Sequence, residues 1–189
     1  MALDALDASG QHDTARAQAL SYKLAIVIQP IARQLDSDVH RAEAVSLWEE
    51  SAKLLKTLFT RDPKRHEVAY CRALHHHGAQ LYKAGYWVKA THVSQEAVRL
   101  RRLLYEADPA SSCNGTGLAS SLDLYSKSLR KQNRIDEARP FTREALALLR
   151  KLYEANPDRH GDELAVFLRS YGNLLFRTNA EVLPSAAPE

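Results

Sequence analysis

Residues 69–109, AYCRALHHHGAQLYKAGYWVKATHVSQEAVRLRRLLYEADP, recur as residues 117–157, GLASSLDLYSKSLRKQNRIDEARPFTREALALLRKLYEANP, without a gap and at an offset of 48. Leu74 pairs with Leu122, Leu81 with Leu129, Ala90 with Ala138, Glu96 with Glu144, Ala97 with Ala145 and Leu100 with Leu148. An internal repeat of this length predicts stacked supersecondary units rather than one globular core.

The pattern extends in both directions. Towards the N-terminus it recurs at an offset of 46: Ala44, Glu50 and Leu54 match Ala90, Glu96 and Leu100, and Asp62-Pro63 matches Asp108-Pro109. Ile28, Ile31, Ala32 and Leu35 match Leu74, His77, Gly78 and Leu81. Towards the C-terminus, Leu164-Ala165 and Leu168 to Asn179 match Leu118-Ala119 and Leu122 to Asn133. The expected organisation is three units, about 20–63, 64–109 and 115–157, and a half unit at 162–179. Together they make a helical domain over 13–179, flanked by a poorly ordered 1–12 and a flexible tail at 180–189.

Each unit reads as a helical hairpin. Leu118, Leu122, Tyr125 and Leu129 recur at spacings of three and four and form one helical stripe. Lys131-Gln132-Asn133-Arg134 makes a turn in which Asn133 can end one helix or cap the next. Asp136 and Glu137 then favour the opening turn of the second helix, which Asn156-Pro157 stops. Ala84-Gly85 is the equivalent turn one unit earlier, and Asp108-Pro109 the equivalent stop. Ala90 and Ala97, like Ala138 and Ala145, share a helix face and, with Gly78, let two helices approach closely. Ser51 replaces the alanine expected in unit one, and Pro30 and Pro140 should kink their helices.

Composition agrees. Seven glycines and seven prolines in 189 residues leave helix formers dominant. Two cysteines, Cys71 and Cys113, are too few for a disulfide framework and point to a reducing, cytoplasmic setting. Cys71 reads as a helix-packing residue and Cys113 as an exposed loop thiol. The N-terminal MALDALDASGQHD lacks the apolar run of a secretory signal, and no stretch is long enough to cross a bilayer. A net charge of +3 does not by itself imply nucleic acid.

Leu74, His77-Gly78, Leu81, Ala90 and Ala97, then Leu122, Tyr125-Ser126, Leu129, Ala138 and Ala145, then Leu168, Tyr171-Gly172 and Leu175, resemble the pattern of the tetratricopeptide-repeat family. Asn133–Ala138 is similar to that family's turn into its second helix. The period exceeds the roughly 34 residues of the standard repeat, and so resembles the long-helix variety found in kinesin light chains and in receptor sensor arrays. The resemblance implies an all-α, right-handed superhelical solenoid of about seven helices, acting as a non-catalytic protein-interaction module without cofactor.

In that family the first helices line a concave groove. The places this implies are Ile26, Gln29, Arg33, Asp36 and Ser37; Arg72, His75, Ala79, Tyr82 and Lys83; Ser120, Asp123, Lys127, Arg130 and Lys131; Val166, Arg169, Asn173, Phe176 and Arg177. Basic residues outnumber acidic ones there, which suits an acidic peptide or a C-terminal carboxylate. Lys83, Arg130, Lys131 and Arg177 also lie in closing turns of helices, where cations are favoured for another reason. Tyr82 and Phe176 would add apolar contact. The candidate peptide-binding set is therefore Arg72, His75, Tyr82, Lys83, Lys127, Arg130, Lys131, Arg169, Asn173 and Phe176.

Other features read as structural. His75, His76 and His77 project about 100° apart on a helix and cannot converge on one metal. His77 takes the packing place, His75 faces the groove and His76 faces solvent. His92 and Glu96 form a surface pair, and Trp48 and Trp87 pack at hairpin interfaces. No phosphate loop, HExxH or GxSxG is present, so no enzyme is expected. RNA binding would want a repeating set of base-reading side chains, whereas Ala79, Lys127 and Asn173 vary freely. The last helix lacks a cover, which a second copy, another protein or further repeats would supply. The alternative reading is therefore part of the sensor array of a larger signalling receptor.

Overall fold

The computed structural model describes the backbone of residues 2–35, 37 and 39–182, and the side chains of 14–35, 37, 39–169, 171 and 172. Among the described residues seven helices follow one another: α1 (Ala2–Gln34), α2 (Arg41–Arg61), α3 (Pro63–Lys83), α4 (Trp87–Ala107), α5 (Ser112–Lys131), α6 (Ile135–Ala155) and α7 (Pro157–Val182). No strand occurs among the described residues. Each helix packs on the next, and α3 also touches α5. The second helices α2, α4 and α6 are each 21 residues long and start at 41, 87 and 135, reproducing the sequence offsets of 46 and 48. The backbone of α1 is helical from Ala2, along the stretch expected to lack order. Residues 183–189, most of the expected tail, lie outside the described residues.

Two kinds of turn alternate, and each has a local cause. Gly85 (φ 82°) and Asn133 (φ 61°) adopt the left-handed conformation, which glycine adopts freely and asparagine more readily than most. In the first turn Tyr86 N–H donates to the Leu81 carbonyl and Gly85 N–H to that of Tyr82. Arg134 to Leu129 and Asn133 to Arg130 repeat this pairing one unit later. It is the Schellman closure, which satisfies the orphan carbonyls at a helix end.

Between units the chain turns on a capping residue. Asp62 Oδ1 accepts from Arg65 N–H at 3.2 Å and Asn156 Oδ1 from Arg159 N–H at 3.1 Å. Pro63 and Pro157 are the first residues of α3 and α7. These prolines thus start the following helix, where a missing N–H costs nothing, as much as they stop the preceding one. After Asp108 the start is delayed to Ser112, with Ser111 as the cap. Pro30 and Pro140 both stand inside helices.

The core lies in two clusters, each spanning neighbouring units. Ala25, Leu55, Leu58, Leu74, Ala97 and Leu100 belong to the first; Leu118, Leu122, Leu129, Ala145, Leu149 and Phe167 belong to the second. At roughly 1.5–3 kcal/mol per buried large apolar side chain, neither cluster would hold without its adjoining hairpin. The small residues act as expected: Ala44, Ala90, Ala97, Ala138 and Ala145 are buried, and a Cβ on Gly78 would sit 3.8 Å from the Ala90 carbonyl oxygen. Ser51 is buried in the corresponding place and donates to the Ala25 carbonyl at 2.9 Å.

Candidate functional site

A cavity of about 570 Å³ opens between α3, α5 and α7. Helix α3 contributes His75, Ala79, Tyr82 and Lys83; α5 contributes Thr116, Ala119, Ser120, Asp123, Leu124 and Lys127; α7 contributes Asp162, Glu163, Val166 and Phe167; Leu149 reaches in from α6. These first helices line it because the second helices bury their alanine faces behind them. Ala79, Ala119, Leu124, Leu149, Val166 and Phe167 make an apolar lining. Charged groups stand among them, with Lys127 paired to Asp123 at 2.5 Å.

The structure brings His75, Tyr82, Lys83 and Lys127 of the expected set onto this one wall. Arg72, Arg130, Lys131 and Arg169 are not on it. Lys131 lies over the Trp87 ring, 5.6 Å from its centroid, at the end of the α3–α4 turn. Trp87 is therefore at the surface under a cation rather than packed in a hairpin interface, whereas Trp48 is fully buried. The side chains of Asn173, Phe176 and Arg177 lie outside the described residues, as does Asp36.

Charge is distributed differently from the basic groove the sequence suggested. Lys83 and Lys127 share the cavity with Asp123, Asp162 and Glu163, so its wall is mixed. Gln29, expected in the groove, is buried and donates to Ser51 Oγ at 3.3 Å. Positive charge gathers beside the cavity, around His75 and His76. His76 stacks on Trp48 (4.5 Å between centroids, 25° between planes) instead of facing solvent, because α2 delivers that indole against α3. Burial pulls the His75 and His76 imidazoles down to about 4, and the positive charges of Arg33, Arg72, Arg101 and Lys83 push His76 the same way. His77, buried as expected, is lowered by the same desolvation.

Arg101 was missed by sequence reasoning. It is half-buried, desolvation lowers its pKa, and its Nε is enclosed without a hydrogen-bond partner among the described residues. A signal existed: its counterparts at the repeat offsets are Leu55 and Leu149, both buried. Cys71 is buried and its thiol is pushed up to about 11 by desolvation; Cys113 is exposed but begins α5 rather than sitting in a loop. No group of three or more His, Cys, Asp or Glu among the described residues is placed to hold a metal ion. No helix among them is long and apolar enough to cross a membrane. Compared with family models, with curated proteins and with solved structures, the chain matches none.

Proposed function

We propose that this chain is a non-catalytic protein-interaction module of tetratricopeptide-like build, which captures an extended peptide segment of a partner protein between its first helices. The observation that carries this reading is the open cavity between α3, α5 and α7, apolar along its floor and charged among its walls. Such a lining gives affinity through buried side chains and register through a few placed polar groups. The repeat supports it too, since helical arrays of this kind leave one face of every hairpin free. With Lys83 and Lys127 facing Asp123, Asp162 and Glu163, the cavity favours a peptide carrying both charges around an apolar anchor over a purely acidic one.

The test is selection of linear peptides from a random display library on the immobilised full chain. The selected peptides are then measured by fluorescence polarisation against Ser120→Trp and Ala79→Glu. Ser120 is exposed and Ala79 partly so, and both line the cavity, so filling or charging it there spares the core. At least a tenfold loss of affinity in both variants is expected. Peptides that bind both variants as tightly as the wild type would place the interaction elsewhere. A second reading, part of a longer sensor array, draws on Val166 (60% exposed) and Leu168 (40% exposed) of α7.

A further inference from the structure

We propose that Arg101, seated against Gly117, and His75 form an anion site between α3, α4 and α5 that takes a phosphate dianion. The site adjoins the peptide cavity through His75 but does not depend on it.

The repeat shows how unusual Arg101 is. Its counterparts Leu55 and Leu149 are buried parts of the two core clusters. Unit two puts a permanent cation in that position. The neighbouring helix is adapted to it: a Cβ on Gly117 would lie 2.4 Å from Arg101 Nη1 and 2.7 Å from Cζ, so the guanidinium rests against α5 where a side chain is missing. Among the described residues no carboxylate acts on it. The charged and titratable groups acting on Arg101 are Cys71, Arg72 and Cys113, and those acting on His75 are His76 and Arg101. Two enclosed ring and guanidine nitrogens, Arg101 Nε and His75 Nδ1, have no hydrogen-bond partner among the described residues.

A cation that is desolvated and left without an acceptor is unfavourable, and an oxyanion removes the penalty on both nitrogens together. The guanidinium offers a fork of N–H donors matched to phosphate oxygens, and neutral His75 can donate from Nδ1. Arg33 and Arg72, close enough for their charges to act on neighbouring His76, supply the field that favours two negative charges over one.

Isothermal titration calorimetry on the full chain tests this with inorganic phosphate, N-acetylphosphoserine amide and acetate, alongside thermal melts in phosphate-free buffer. The variants are Arg101→Leu, which restores the residue of the flanking units, and Gly117→Ala, which evicts the guanidinium without changing charge. Arg150→Leu, at an exposed place on α6, is the control. Phosphate should bind the wild type and the control alike, and at least tenfold more weakly both variants. Arg101→Leu should melt higher than the wild type without phosphate and gain nothing from its addition. Tighter binding of the phosphoserine compound would identify a phosphorylated segment as the source, and tighter binding of inorganic phosphate the free ion. The proposal fails if nothing binds up to about 10 mM phosphate, if acetate binds as well as phosphate, or if Arg101→Leu binds like the wild type. A lower melting temperature for Arg101→Leu would equally overturn it, by making Arg101 an ordinary structural residue.

Discussion

His75 and His76 stand on α3 among positive neighbours: Arg72 and Lys83 on the same helix, Arg33 from α1 and Arg101 from α4. Trp48 of α2 stacks on His76, and Asp123 and Lys127 of α5 share the cavity with His75. Both imidazoles are held near 4 when folded, against 6.5 for an exposed histidine. Between those values the unfolded chain binds more protons than the folded one, so stability is full above 6.5 and falls as pH drops towards 4. The ceiling for His75 alone is about 3 kcal/mol. Melting followed by circular dichroism should be flat above neutrality and decline from about pH 6.5 downwards, before carboxylates titrate. His75→Gln should flatten that upper part of the decline; an unchanged slope would show that the buried histidines do not set it. The left-handed turn residues make a second residue-scale case. Gly85→Ala should cost about 1–2 kcal/mol, while Asn133→Gly should be neutral or slightly stabilising, as equilibrium urea unfolding would measure. Equal losses at both positions would contradict the positive φ at each.

At the scale of helices, the caps between units carry the repeat's punctuation. Asp62→Ala and Asn156→Ala each remove the acceptor for a first-turn N–H while leaving Pro63 and Pro157 in place. Each should cost about 1 kcal/mol, seen as a melting shift of roughly 2–4 °C in a chain of this size. Loss of helix content at room temperature instead would mean that the caps nucleate the hairpins rather than trim them. This level was also the most legible in the sequence. Leu74, Leu81, Leu122 and Leu129 recur with helical spacing, and Ala90, Ala97, Ala138 and Ala145 mark the buried faces, so elements and pairing follow from periodicity. What periodicity could not provide was the direction of a side chain when a neighbour intervenes. His76 points outward on a helical wheel, yet α2 covers it with Trp48. Gln29 occupies a groove register, yet Ser51 across the α1–α2 contact draws it inward. Four of the candidate peptide-binding residues, His75, Tyr82, Lys83 and Lys127, line one cavity. Lys131 instead turns to the Trp87 ring, because a long flexible cation settles on whatever surface is nearest. Arg101 was legible only by reading the repeat as columns, where it breaks a run of leucines.

Across the whole chain, helices are stabilised mainly by their immediate neighbours: α1 packs on α2, and so on to α6 on α7. Helices α3 to α6 have a neighbour on both sides and contribute to one core cluster or both. Helix α7 packs chiefly on α6 among the described residues and adds Phe167, Leu164 and Tyr171 to the second cluster. Helix α1 likewise packs on α2, with Ala25, Ile28, Gln29 and Ala32 as its buried side chains among those described. In such a chain, stability is close to a sum of hairpins and the interfaces between them, and opening should spread inward from the least-supported helices. Native-state hydrogen exchange should therefore be graded, fastest in α1 and α7 and slowest in α3 to α5. A peptide held between α3, α5 and α7 adds contacts across the gap that α7 otherwise leaves open, so saturating the cavity should slow exchange in α7 far more than in α1. The same experiment with phosphate should protect α3 to α5 and leave α7 unchanged, because Arg101, His75 and Gly117 belong to those inner helices. Uniform exchange along the chain would show one cooperative core, and equal protection of α1 and α7 by the peptide would place it outside the cavity.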